Sequence, residues 1–161
     1  MATETNMQSA ARLFFTSSDI AVAGASSSPH KFGYKIFAWY LQRSYNPIPI
    51  NPSASSVSIE GSDYTTIASP KALKNPRQTS LSVITPPHVT EKLLKEAKEV
   101  GVRSVWLQPG TFNDEILEWA KREWPGAAIG GFEKGTRGGE GWCVLVDGDK
   151  AIREAGKEQK L

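Results

Sequence analysis

Short apolar runs rich in β-branched residues alternate along this chain with longer stretches whose apolar residues recur every three or four positions. Ile20-Ala21-Val22-Ala23, Ile48-Pro49-Ile50, Leu81-Ser82-Val83-Ile84 and Val105-Trp106-Leu107 read as buried strands. Ala127–Ile129 is a further candidate, Trp142–Val146 a last strand, and Tyr64–Ile67 a short one within a polar stretch. Between them, Ile36, Phe37, Tyr40 and Leu41 mark one helix, and Val89, Leu93, Leu94, Ala97 and Val100 a second. Ile116, Leu117, Ala120 and Trp124 mark a third. The punctuation agrees: Pro86-Pro87 opens the second helix and Gly101 closes it. Asn113 caps the third, with Asp114 and Glu115 in its first turn, and Pro125-Gly126 stops it. Ser69–Leu73 reads as a turn or short helix, and the residues from Asp147 as a charged tail, frayed or marginally helical.

Such alternation predicts an α/β fold, Rossmann-like and doubly wound. Its mostly parallel sheet would hold about five to seven strands, with helices on both faces. A length of 161 residues suits a single domain, with a core over about 10–147 and a charged tail over 148–161. Pro49, within Ile48-Pro49-Ile50, sits poorly in a central strand.

The formal charge of +2 is spread among interleaved acids and bases, which argues against a nucleic-acid surface. One cysteine, Cys143, excludes an internal disulfide and a multi-cysteine zinc site, and favours a reducing compartment. No apolar run approaches the ~20 residues of a membrane span, and Leu13-Phe14-Phe15 is too short for a secretory core. A cytoplasmic location is the default; Ala10–Phe15 keeps a mitochondrial presequence open.

In sheets of this kind the ligand crevice lies at the carboxyl ends of the strands. The residues there are Gly24-Ala25-Ser26, Asn51-Pro52-Ser53, Thr85-Pro86-Pro87 and Gln108-Pro109-Gly110, none of them a carboxylate. The first loop suits an anion. A glycine lets backbone approach the ligand, and the helix that follows offers unpaired N–H groups. Ser26, Ser27 and Ser28 add hydroxyls, His30 a hydrogen-bond donor and Lys31 a charge. The spacing is not G-x-G-x-x-G, and an ordinary strand–helix turn, with Gly33 permitting tight packing, is the competing reading. Asn51-Pro52-Ser53-Ala54 lacks the acid that binds ribose hydroxyls in NAD sites. That leaves a nucleotide whose ribose carries a phosphate, or no nucleotide.

Gly24-Ala25-Ser26, Pro29, Lys31, Gly33-Tyr34 and Pro49-Ile50-Asn51-Pro52, followed by Val105–Gly110, resemble the small stand-alone CoA-binding proteins. Their fold is that of the N-terminal CoA-binding domain of the succinyl-CoA synthetase alpha subunit. The resemblance covers about residues 10–147. It implies that Gly24, Ala25, Ser26 and the loop to Lys31 hold the CoA pyrophosphate region. Asn51, Pro52 and Ser53 would flank the adenosine, while Thr85, Pro86, Gln108 and Pro109 would wall the cleft. Two departures stand out. No base follows Asn51-Pro52 to meet a ribose 3′-phosphate, so Lys31, Lys35 or a later base would have to substitute. A Gly-rich segment, Gly130–Gly141 with Lys134 and Arg137, precedes Trp142-Cys143, either covering the cleft or forming a surface excursion.

Catalytic candidates are poor. Cys143 could pair with His30 or His88 as a nucleophile, but inside an apolar run it reads as a core residue. Two separated histidines and one cysteine make no metal set. Glu91, Glu96 and Glu99 interleave with Lys92, Lys95 and Lys98 as on a solvated helix face. The sequence therefore reads as a module binding CoA or acyl-CoA, a sensor, carrier or regulator without chemistry of its own. An NADP-dependent oxidoreductase, or an interaction module with a decayed nucleotide site, are the alternatives.

Overall fold

The computed structural model describes residues 6–132 and 141–159, with side chains to 156. Its central sheet is five-stranded and wholly parallel. The strands are β1 (Asp19–Ala23), β2 (Ile48–Ile50), β5 (Thr79–Val83), β6 (Ser104–Leu107) and β7 (Ala128–Ile129), in the order β2-β1-β5-β6-β7. β3 (Ser56–Ile59) and β4 (Ser62–Thr65) form a separate antiparallel hairpin. The helices are α1 (Asn6–Phe14), α2 (Phe32–Gln42), α3 (Pro87–Val100), α4 (Asp114–Glu123) and α5 (Val144–Gln159). The expected doubly wound α/β architecture is thus the observed one. The Gly-rich segment Gly130–Gly141 is described only at its ends, since residues 133–140 lie outside the described residues.

Alternation along each strand builds two cores. Ile20, Val22, Trp106 and Ile129 face α1, α2 and α5, whereas Ala21, Ala23, Leu81, Val83, Val105 and Leu107 face α3 and α4. β5 carries three hydroxyl residues yet is buried throughout. Each finds a partner: Thr79 Oγ1 donates to Asn75 O, Ser80 Oγ to Phe14 O, and Tyr40 OH to Ser82 Oγ. Burial pushes the Tyr40 phenol far above its ordinary pKa, so this hydroxyl stays neutral. β2 lies at the sheet edge, where Pro49 costs no ladder bond toward a further strand.

Three elements differ from expectation. Trp142–Val146 is not a strand: Val144 begins α5, and the supposed tail from Asp147 is its body. The apolar run has no period by itself. Val144, Ala151 and Ala155 together make a buried stripe, with Gly148 set against the Trp39 ring. Asp147 fixes the start, its carboxylate accepting from Cys143 N at 3.0 Å while its own N–H donates to Cys143 O at 2.8 Å. Arg43, the C-cap of α2, ties the helix down through two bonds to Asp149, of 2.6 and 3.0 Å. Second, α1 is an unforeseen helix whose Met7, Ala10, Ala11 and Phe14 are buried, with Phe14 edge-on to Trp106. Buried apolar residues run from Met7 to Ala155. Third, the polar stretch after β2 hides the β3–β4 hairpin, which includes the anticipated strand near Tyr64 but ends at Thr65.

Candidate functional site

From β1 the chain crosses through α2 to β2 at one edge, then returns to lay β5 on the other side of β1. The two strands at this reversal, β1 and β5, open a crevice at their carboxyl ends. A cleft of about 880 Å³ lies there, bordered by Gly24, Ala25, Ser26, Lys31, Asn51, Pro52, Ser53, Thr85 and Pro86.

Two glycines set the shape of the first loop. Gly24 has φ +95°, and a Cβ there would stand 2.8 Å from Ile84 O. A Cβ on Gly33 would lie only 2.0 Å from Gly24 O, so the start of α2 presses directly on the end of β1. This close approach leaves the loop amides facing no protein partner. Among the described residues nothing accepts a hydrogen bond from the N–H groups of Ala25, Ser26, Ser27, Phe32 or Gly33. Lys31 is the helix N-cap and makes no side-chain cap bond, leaving its ammonium free of the helix.

The serines divide their work. Ser26 borders the cleft while its Oγ accepts from Ser28 N at 3.1 Å, closing a local turn. Ser27 Oγ accepts from Ser58 N at 2.9 Å and so holds the loop to the hairpin. Neither Ser27, Ser28 nor His30 borders the cleft, and His30 is exposed. Gly33 is buried beneath the loop and shapes it from below. Asn51 is a strut between strand ends: its Nδ2 donates to Ala25 O, and its Oδ1 accepts from Ser53 N and Ala54 N.

Sequence reasoning passed over the far wall. His88, Val89, Lys92 and Glu96 of α3 all border the cleft. Lys92 had been assigned to a solvated face of ion pairs, yet it has no ion-pair partner among the described residues, whereas Lys95 pairs with Glu91 at 3.5 Å. The signal was present, because His88, Lys92 and Glu96 recur every four residues on one side of the helix. His88 and Lys92 are bases later in the chain that border the cleft.

Gln108 and Pro109 do not border this cleft. They line a second cavity of about 330 Å³, which shares Ile84, Thr85 and Pro86 with the first. Gln108 is 4% exposed. Its Oε1 accepts from Val144 N at 2.8 Å and its Nε2 donates to Cys143 Sγ at 3.2 Å. It therefore clamps the start of α5. Cys143 is not in a strand core, as its apolar neighbours suggested, but half-buried on the wall of this cavity. Neither histidine is recorded as its partner, and among the described residues no group of His, Cys, Asp and Glu side chains could hold a metal ion.

A parallel five-stranded sheet with a cleft at its switch point, and no carboxylate at a strand tip, defines a Rossmann-like α/β protein. More specifically, the chain belongs to the CoA binding domain family, whose model matches residues 18–148. It is also similar to solved structures. A conserved hypothetical protein from Pyrococcus furiosus superposes with a TM-score of 0.62 at 28% identity, over 80% of this chain and 97% of that one. A protein from Thermus thermophilus gives 0.61 at 27% identity, over 73% and 86%. A hypothetical protein from Pyrococcus horikoshii gives 0.65 over 98% and 96%, and at 19% identity it speaks to the fold alone.

The cleft fits CoA. Its volume falls in the range of ~300–1,000 Å³ usual for cofactor sites. A CoA bound here would have the loop amides and Lys31 to hold its pyrophosphate, and His88 and Lys92 to meet its ribose phosphate. Glu96 is the one acid on the wall.

Proposed function

We propose that this chain binds CoA or an acyl-CoA reversibly and without transforming it, serving as a sensor, carrier or regulatory module. The observation that carries this reading is the Gly24–Gly33 contact, which holds a loop of unpaired amides open at the switch point beside Lys31. The family membership supports the choice of CoA among anionic nucleotides. The non-catalytic part rests on the arrangement of reactive groups. Cys143 Sγ accepts from Gln108, and the two histidines near the loops are exposed.

The two lysines make the reading testable by charge. Lys31→Ala is expected to weaken CoA and dephospho-CoA alike, by roughly tenfold, since a charge-assisted hydrogen bond contributes about 1.5 kcal/mol. Lys92→Ala is expected to weaken CoA by a similar factor and leave dephospho-CoA little changed. Isothermal titration of both ligands against both variants gives the cycle. Equal losses for the two ligands in Lys92→Ala would remove this lysine from the ribose phosphate.

A further inference from the structure

The second cavity has a chemistry of its own. Among the described residues bordering it none is charged: the wall is Phe32, Ile84, Pro86, Pro109 and Val146, with Gln108 and Cys143 bonded to each other. Large exposed apolar side chains are few in this protein. They are Phe32, Val89, Phe132 and Val146 among the described residues. Phe32 and Val146 border the second cavity and Val89 borders the cleft, so exposed apolar surface gathers where a ligand would cover it. The two spaces meet along Ile84, Thr85 and Pro86. A ligand with phosphates beside Lys31 and a long flexible arm could lodge its far end in this neighbouring chamber.

We propose that this chamber receives the acyl group of an acyl-CoA, and that it selects short, uncharged acyl chains. The inference rests on the CoA reading above and adds the substrate class. Its volume of about 330 Å³ would hold about ten waters, enough for a compact acyl group and the thioester. Burying methylenes against Phe32 and Val146 favours the acylated ligand over free CoA. A terminal carboxylate would enter the same chamber with no cation to meet it among the described residues of the wall, at a heavy desolvation cost.

The test compares CoA, butyryl-CoA and succinyl-CoA by isothermal titration, on the natural protein and on Val146→Trp. Val146 is 44% exposed, so a larger side chain there can fill the chamber without entering the core. Butyryl-CoA is expected to bind roughly tenfold more tightly than CoA, and succinyl-CoA at least tenfold more weakly than butyryl-CoA. In Val146→Trp the butyryl-to-CoA ratio is expected to fall toward one. Equal binding of all three ligands, or a preference for succinyl-CoA, would overturn the chamber and leave the CoA reading standing. Failure of every CoA species to bind would overturn both.

Discussion

Replacing Gly33 with alanine is expected to destabilise the protein by about 3 kcal/mol and to weaken CoA binding by more than tenfold. The added Cβ would lie 2.0 Å from Gly24 O, a backbone atom that cannot rotate away. Either α2 retreats from β1 or the loop after Gly24 shifts. Overpacking of this kind costs ~1–3 kcal/mol, and the rigidity of both partners places this site at the upper end. At ~2–4 °C per kcal/mol for a chain of this size, the melting temperature should fall by roughly 6–12 °C. Binding suffers separately, because the unpaired amides of Ser26, Phe32 and Gly33 lie on the two segments forced apart. Gly156→Ala serves as the control. Gly156 is in α5 with nothing within 4 Å of its added Cβ, so alanine should stabilise that helix slightly.

The second large effect concerns Gln108→Leu. The two side chains are alike in size, so the loss is polar. Val144 N–H would lose its 2.8 Å acceptor inside the protein, and Cys143 Sγ its donor. An orphaned buried donor costs ~1–3 kcal/mol, and about 2 kcal/mol is expected here. The damage should be local to the start of α5. Amide exchange at Val144 is expected to accelerate, and Cys143 should react faster with a thiol reagent. Uniform loss of protection across the sheet would show that Gln108 supports the fold generally rather than this junction.

These two sites illustrate what a reader of the sequence can and cannot extract. Gly24, Asn51, Thr85 and Gln108 were recognisable as strand-tip residues because each ends a short apolar run. Tight packing at Gly33 was open as one of two readings of the loop, and the approach of Gly33 to Gly24 O is that packing, with which an anion site is compatible. The role of Asn51 as a strut was not readable, because its partner Ala25 O is distant in sequence. The hairpin escaped for a different reason. Ser56-Val57-Ser58-Ile59 alternates cleanly, with Val57 and Ile59 buried, but its partner Ser62–Thr65 is nearly all exposed and reads as loop. In α5 five apolar residues imitate a strand, since Trp142 and Cys143 precede the helix and only Val144 onward follows its period. Lys92 is exposed as its charge-alternating helix suggests, but that its side of the helix borders a cleft shows only in the fold.

The claim on which the account depends is that the crevice between β1 and β5 takes CoA through its phosphates. Thermal denaturation of the purified protein, alone and with CoA, dephospho-CoA, NAD, NADP or ATP, tests it most directly. At a hundredfold excess over its dissociation constant, CoA should add about 2.7 kcal/mol to stability, a rise of roughly 5–10 °C in melting temperature. The rise should exceed that with every other nucleotide and fall by about half or more in Gly33→Ala at the same CoA concentration. A larger shift with NADP than with CoA, or no shift with any CoA species, would contradict it.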